Sequence, residues 1–255
     1  MDREGQRAPG DGSRRPQAGP GDGSRGRRRA SREQSRARRP RAPGERSRWR
    51  ILEQAARLAT VEGLEGLSIG RLAEATGMPK SSVYVLFGSK EELQLATIEA
   101  ARVSFVEEVV TPALGAGRPG RERLGALCEG FLGYVQRRVF PGGCFFVATA
   151  AELGARPGRV HDLVATYQRE WRELLEQTAR EASQAGELAG SDPAQLAFEL
   201  TTLLAGTNIM TVLHDDDAAI DHARRAVAAR LATEPSGGSS MANWTRPGSW
   251  AEGGA

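Results

Sequence analysis

Lys80, Ser81, Ser82 and Tyr84 form the group best suited to meeting another molecule. The lysine supplies charge, the small hydroxyls permit close approach, and the tyrosine hydroxyl reaches a phosphate oxygen. A short helix from about Pro79 to Phe87 would turn these groups outward, while Val83 and Phe87 pack back on preceding helices. Set in a major groove, it would bring them to base edges and flanking phosphates, with its N-terminal amides facing a phosphate. A helix opening at Ser68, as N-cap, and stopping at Gly77 comes just before. Residues 68–87 thus read as a helix–turn–helix.

Other clusters support less chemistry. The chain has no phosphate-binding glycine loop, nucleophile elbow or zinc-ligand spacing, and it has three histidines. This argues against an enzyme and implies no cofactor. Glu129 and Glu152 could act as a carboxylate pair, but nothing in the sequence brings them together. His214-Asp215-Asp216-Asp217 reads as helix capping rather than a metal site, for want of a second ligand cluster. Cys144 opens a helix, where the dipole lowers a thiol pKa, so redox sensing with Cys128 is one reading. The other is a small apolar residue at a tight Gly-Gly turn.

The elements that must position these residues follow from composition and periodicity. The 255 residues are 39% hydrophobic with net charge +3. Residues 1–50 hold 16 Arg and 6 acidic residues and so carry +10, leaving −7 for the remainder. Residues 1–46 lack apolar side chains to bury and read as a disordered basic arm, either simply solvated or adding phosphate and minor-groove contacts. Residues 235–255, with Trp244 and Trp250, read as a disordered tail. Between them the period is helical throughout and the fold class is all-α. Expected helices run from Ser47 to Gly63, across the two already named, and from a capping box at Ser89 and Glu92 to about Val110. Further helices are expected over Arg121–Phe140, Cys144–Ala155, Arg159–Ala185, Pro193–Leu213 and Ala218–Ala232, with Pro112 as a breaker. No run of about 18 uncharged apolar residues is present; Leu196–Leu213 comes nearest and carries Glu199. With two cysteines and no signal-peptide pattern, the expectation is a soluble cytoplasmic protein without membrane association.

Several stretches together resemble the TetR family of bacterial transcriptional regulators. They are Ile51–Ala56, Leu67-Ser68-Ile69 with Leu72-Ala73, Gly77–Tyr84, and Phe87-Gly88-Ser89-Lys90-Glu91-Glu92-Leu93. Two positions depart from the family pattern. Pro79 stands where a small hydroxyl is usual, and Leu86 where histidine is frequent. The resemblance implies a homodimer with an N-terminal three-helix DNA-binding domain (47–100) and a helical ligand-binding and dimerisation domain (101–234). It implies a double-stranded palindromic operator released by a small-molecule effector. The candidate DNA-contacting residues are Ser68, Lys80, Ser81, Ser82, Tyr84 and Lys90.

Pro141–Phe146, Ala151-Glu152 and Gln195–Leu200 resemble the C-terminal half of one subgroup of the family. The last two long helices then serve the dimer, and Leu196, Leu200, Leu203, Leu204, Val227 and Leu231 are expected on that face. Phe131, Tyr134, Phe145, Phe146, Tyr167 and Trp171, with Ala150, are the candidate lining of a pocket for an apolar or aromatic effector. Repression is the expected sign. Activation on the same fold and redox sensing through Cys144 are the alternatives, and an architectural or RNA-binding role for the arm is a more distant one.

Overall fold

The computed structural model describes residues 43–188 and 190–232. The expectations for the arm before residue 43 and for the C-terminal tail lie outside the described residues. Ten α-helices occur among the described residues, with no strand. The first, α1 (Pro43–Glu62), begins inside the segment read as arm. A proline suits a first helical position because its fixed φ is already near the helical value, and Glu45 complements the dipole of the first turn.

Helices α2 (Ile69–Thr76) and α3 (Lys80–Phe87) follow with the expected punctuation. Ser68 Oγ accepts from the Arg71 amide at 3.1 Å. Gly77 at φ 67 provides the left-handed stop, a conformation that costs other residues strain. Pro79 precedes α3 without a side-chain cap, as its chemistry requires. Ala55, Ala56, Leu72, Val83 and Phe87 are buried together, so α1 to α3 share one core.

Helix α4 (Lys90–Phe105) starts on Ser89, whose Oγ accepts from the Glu92 amide at 3.1 Å. The reciprocal half of the expected capping box is replaced: Glu92 receives Arg159, 67 residues away, at 2.7 Å. Pro112 does not break the helix where expected. Val106–Val110 form a π-helical turn, closed by the Thr111 amide on the Val106 carbonyl, and α5 (Thr111–Ala116) continues beyond it. The wider turn accommodates a ring that would press on the carbonyl four residues back in an α-helix.

Helix α6 (Arg121–Gln136) ends short of the expected Phe140 because Arg138 turns left-handed at φ 50. Its guanidinium donates to the Thr211 carbonyl at 2.8 Å and pairs with Asp215 at 3.1 Å, so it closes the end of another helix. Three more helices, α7 (Phe145–Leu153), α8 (Arg159–Gln184) and α9 (Pro193–Leu213), lead to α10 (Ala218–Arg230). Helix α9 packs on α6, α8 and α10. By length and composition it is also apolar enough to cross a membrane. It nevertheless buries Asn208, bonded to the Cys144 amide at 2.7 Å, and pairs Glu199 with Arg230 at 2.6 Å. Those polar partnerships are features of a helix seated in a protein.

Candidate nucleic-acid interface and effector site

The short helix α3 is anchored by Val83 and Phe87, one turn apart and both buried. That anchoring forces the opposite side outward. Lys80, Ser81 and Tyr84 are exposed and Ser82 is half-buried. The first intrahelical bond runs from the Ser82 amide to Pro79 O, which leaves the Lys80 and Ser81 amides ahead of the helix ladder. The structure therefore places Lys80, Ser81 and Tyr84 on the exposed arc of one helix at its N-terminal half, with Ser82 at the half-buried margin of that arc. Ser68 and Lys90 are placed differently. The Ser68 hydroxyl caps α2, and Lys90 Nζ donates to the Glu65 carbonyl at 2.6 Å.

Val85 is not among the residues that the sequence points to. It is 84% exposed, one turn after Ser81 on the outward side. The spacing of four from Ser81 was the signal available for it.

The six effector candidates divide into a cluster and its edge. Phe131, Tyr134, Phe145 and Phe146 are buried, while Tyr167 and Trp171 are half-buried on α8. Phe105, absent from the sequence-derived set, is the hub. Its ring meets Phe131, Tyr134, Phe146 and Trp171 edge-on, with centroids 5.2–6.2 Å apart. Ile98 and Ala101, seven and four residues earlier on α4, mark the same buried face and could have pointed to it. The rings are in mutual contact. A cleft of about 710 Å³ opens elsewhere, bounded by α1, α3, α4 and α8, with Phe87, Leu95, Glu99, Arg159 and Asp162 in its wall. The two regions adjoin at one hydrogen bond, from the Tyr167 hydroxyl to Glu99 at 2.6 Å. Partial burial and the Glu99 carboxylate push the Tyr167 phenol well above its ordinary pKa.

Burial governs the two cysteines. Cys144 stands at the N-terminus of α7, where neighbouring amides favour the thiolate, yet desolvation wins and pushes its thiol up to about 11. Cys128 is pushed up to about 12 for the same reason. Both should resist iodoacetamide in the native protein at about pH 8 and react only once denaturant exposes them. Rapid native labelling of Cys144 would revive the redox reading. Among the remaining sequence candidates, Asp216 caps the amide of Ala218 at 2.9 Å, and Glu129 binds Arg224 rather than Glu152.

The face assigned to a partner requires correction. Leu196, Leu200, Leu204, Val227 and Leu231 are buried within the chain, and Leu203 is partly so. The apolar side chains that α9 leaves exposed are Phe198 (58%), Ile209 (50%), Met210 (53%) and Leu213 (72%). Gly206 lies between them with open space where a side chain would stand. Apolar side chains occur on every side of this helix with polar ones scattered among them, so periodicity alone could not assign its faces.

Comparison with other proteins places these features in a family. Residues 51–97 match the bacterial regulatory proteins of the tetR family, and residues 120–227 match the tetracyclin repressor-like C-terminal domain. The HTH-type transcriptional repressor AcnR of Corynebacterium glutamicum is 44% identical over 62 residues, which is 24% of this chain and 33% of AcnR. The match thus spans about a third of that relative. A TetR transcriptional regulator from Chloroflexus aurantiacus is similar in structure, with a TM-score of 0.64 and 27% identity over 74% of this chain and 95% of its own. AibR, solved with isovaleryl coenzyme A and operator DNA, superposes with a TM-score of 0.59 at 24% identity, covering 73% of this chain and 98% of AibR.

Proposed function

Because this chain belongs to the TetR family of bacterial regulatory proteins, we propose that it is a cytoplasmic repressor binding a palindromic operator as a homodimer, released by an apolar or aromatic effector. Its DNA-binding domain is residues 47–100 and its effector and dimer domain residues 101–234. The observation that carries this reading is the outward side of α3. Lys80, Ser81 and Tyr84 are exposed there, with Ser82 at the margin, on a helix that Val83 and Phe87 lock into the core, an arrangement suited to a major groove. Val85 joins them as a candidate for apolar contact with a thymine methyl group. Ser68 and Lys90 contribute from the neighbouring helix starts, with the Lys90 charge held beside the Glu65 carbonyl.

The dimer face is the α9 stripe of Phe198, Ile209, Met210 and Leu213, flanked by α10. Two copies joined there would hold their α3 helices about 34–36 Å apart, one helical turn of DNA, or a multiple of it. AibR supports the pairing of a small molecule with an operator on this fold, since it was solved with isovaleryl coenzyme A and operator DNA. Here the effector would part the rings around Phe105, among Phe131, Tyr134, Phe145, Phe146, Tyr167 and Trp171. It would thereby displace α4, which carries Phe105 at one end and supports α3 at the other. A coupling of about 1–3 kcal/mol between the two sites is enough for a switch.

Footprinting on the DNA flanking the chain's own gene tests the reading, with a protected palindrome as the expected result. Uniform protection of any duplex would favour an architectural role instead. Lys80→Ala should weaken operator binding and lower the salt slope of log Kd by about one unit, because one phosphate contact is removed. An unchanged slope in anisotropy titrations across salt would take Lys80 out of the interface.

A further inference from the structure

The loop joining α1 to α2 is held in an unusual way. Its residues Leu64 and Glu65 have all four of their backbone polar groups bonded to side chains from other helices. The Leu64 and Glu65 amides donate to the two carboxylate oxygens of Glu152, at 2.6 and 2.7 Å. The Leu64 carbonyl accepts from the buried amide of Gln94 at 2.8 Å, and the Glu65 carbonyl from Lys90 at 2.6 Å. Gln94 and Lys90 belong to α4, whereas Glu152 belongs to α7. The glycine that opens the loop makes this approach possible. Gly63 has φ +82, and a β-carbon there would stand 2.7 Å from Glu152 Oε1.

The seat extends to the turn before α7. The Gly142 amide donates to Thr60 Oγ1 at 3.2 Å, and Arg57 donates to the Val139 carbonyl at 3.0 Å. The last turns of α1 therefore rest on residues 139–142 while Glu152 grips the loop that follows. Helix α7 is short and carries two groups of different consequence. Phe145 and Phe146 at its start belong to the aromatic cluster, and Glu152 lies near its end, roughly 10 Å along the axis.

We propose that Glu152 is a positioning residue: a two-pronged latch from α7 onto the α1–α2 loop that sets the pose of the DNA-reading helices against the rest of the chain. With the Thr60 and Arg57 bonds it forms a non-covalent connection separate from the covalent one through α4. A carboxylate accepting two amide bonds is a strong and directional hold, because both prongs must be met at once. A shift of α7 at Phe145 or Phe146 is thereby delivered to the loop that leads into α2 and α3. The inference rests on the operator-binding reading above, with the ligand-free pose as the competent one.

The test uses the full-length chain and the palindrome found by footprinting, alongside a duplex carrying one half-site. Glu152→Ala should bind the palindrome about tenfold more weakly, within the range of ordinary inter-site coupling. It should bind the half-site as the wild type does, since each reading head stays intact and only the relation between the two is loosened. Glu152→Gln keeps one acceptor oxygen and should fall between the two. Amide exchange at Leu64 and Glu65 should accelerate in the same order. Equal loss on both DNAs would mean that the residue merely supports the fold of the head, and unchanged binding to both would mean that the latch sets nothing; either result overturns the proposal. If the wild-type chain protects no palindrome, the operator reading itself fails and this inference falls with it.

Discussion

Ile209→Glu should leave the chain folded but monomeric, and should weaken operator binding by about a hundredfold or more, the advantage that joining two modest sites confers. Ile209 is half exposed in the single chain, so a charge there meets water and the monomer tolerates it. In a dimer packed on the α9 stripe the same carboxylate would be taken out of water without a partner, and so would its symmetric copy. Gly206 sharpens the expectation, because its open side lets a second helix approach closely. Light scattering after size exclusion gives the mass, and anisotropy on the palindrome gives the affinity. A variant that remains dimeric with unchanged affinity would move the interface elsewhere.

Phe105→Ala should cost about 3–5 kcal/mol of stability, the range for deleting a buried aromatic ring. Its ring touches four others, on α6, α7 and α8, so no single neighbour can close the gap by a change of rotamer. For a chain of this size the loss corresponds to a fall in Tm of about 10 °C. The void is lined by Phe131, Tyr134, Phe146 and Trp171, all effector candidates, and an apolar void of that kind stays dry and accepts small aromatic molecules. Toluene should therefore raise the Tm of the variant and not that of the wild type. A loss below about 1 kcal/mol would show that the rings are not packed as a unit.

Much of the DNA-reading portion was legible because its determinants are local. Ser68 and Ser89 bond to amides three residues on, Gly77 stops α2, and Val83 and Phe87 lie one turn apart. Each is a relation within four residues, the span over which sequence spacing translates directly into geometry. The effector candidates were found as apolar residues on helices, but their hub at Phe105 was not. Its role depends on three helices arriving around it.

Local pattern was misleading or silent where the outcome depends on a partner distant in the chain or on burial. Glu92 looked like the second half of a capping box, and Arg159 claimed it. Nothing in the sequence joins Glu152 to Glu129, and the fold sends them to the α1–α2 loop and to Arg224 respectively. Of the two readings of Cys144, burial favours the inert one against the pull of its helix terminus.

By itself, the sequence determined the helical class, the caps and stops, the reading helix with its outward Lys80, Ser81 and Tyr84, and the kinship carried by residues 51–97. Only the tertiary structure decided which side of α9 remains uncovered, which carboxylate holds which loop, and how the head is seated on α7. The physical reason is the reach of the interactions involved. Caps and periodicity act within a turn of helix, whereas burial and long-range hydrogen bonds are settled by which helices pack together. On a helix with apolar residues on every side, as α9 has, or for a carboxylate free to choose among several donors, no local pattern records the outcome.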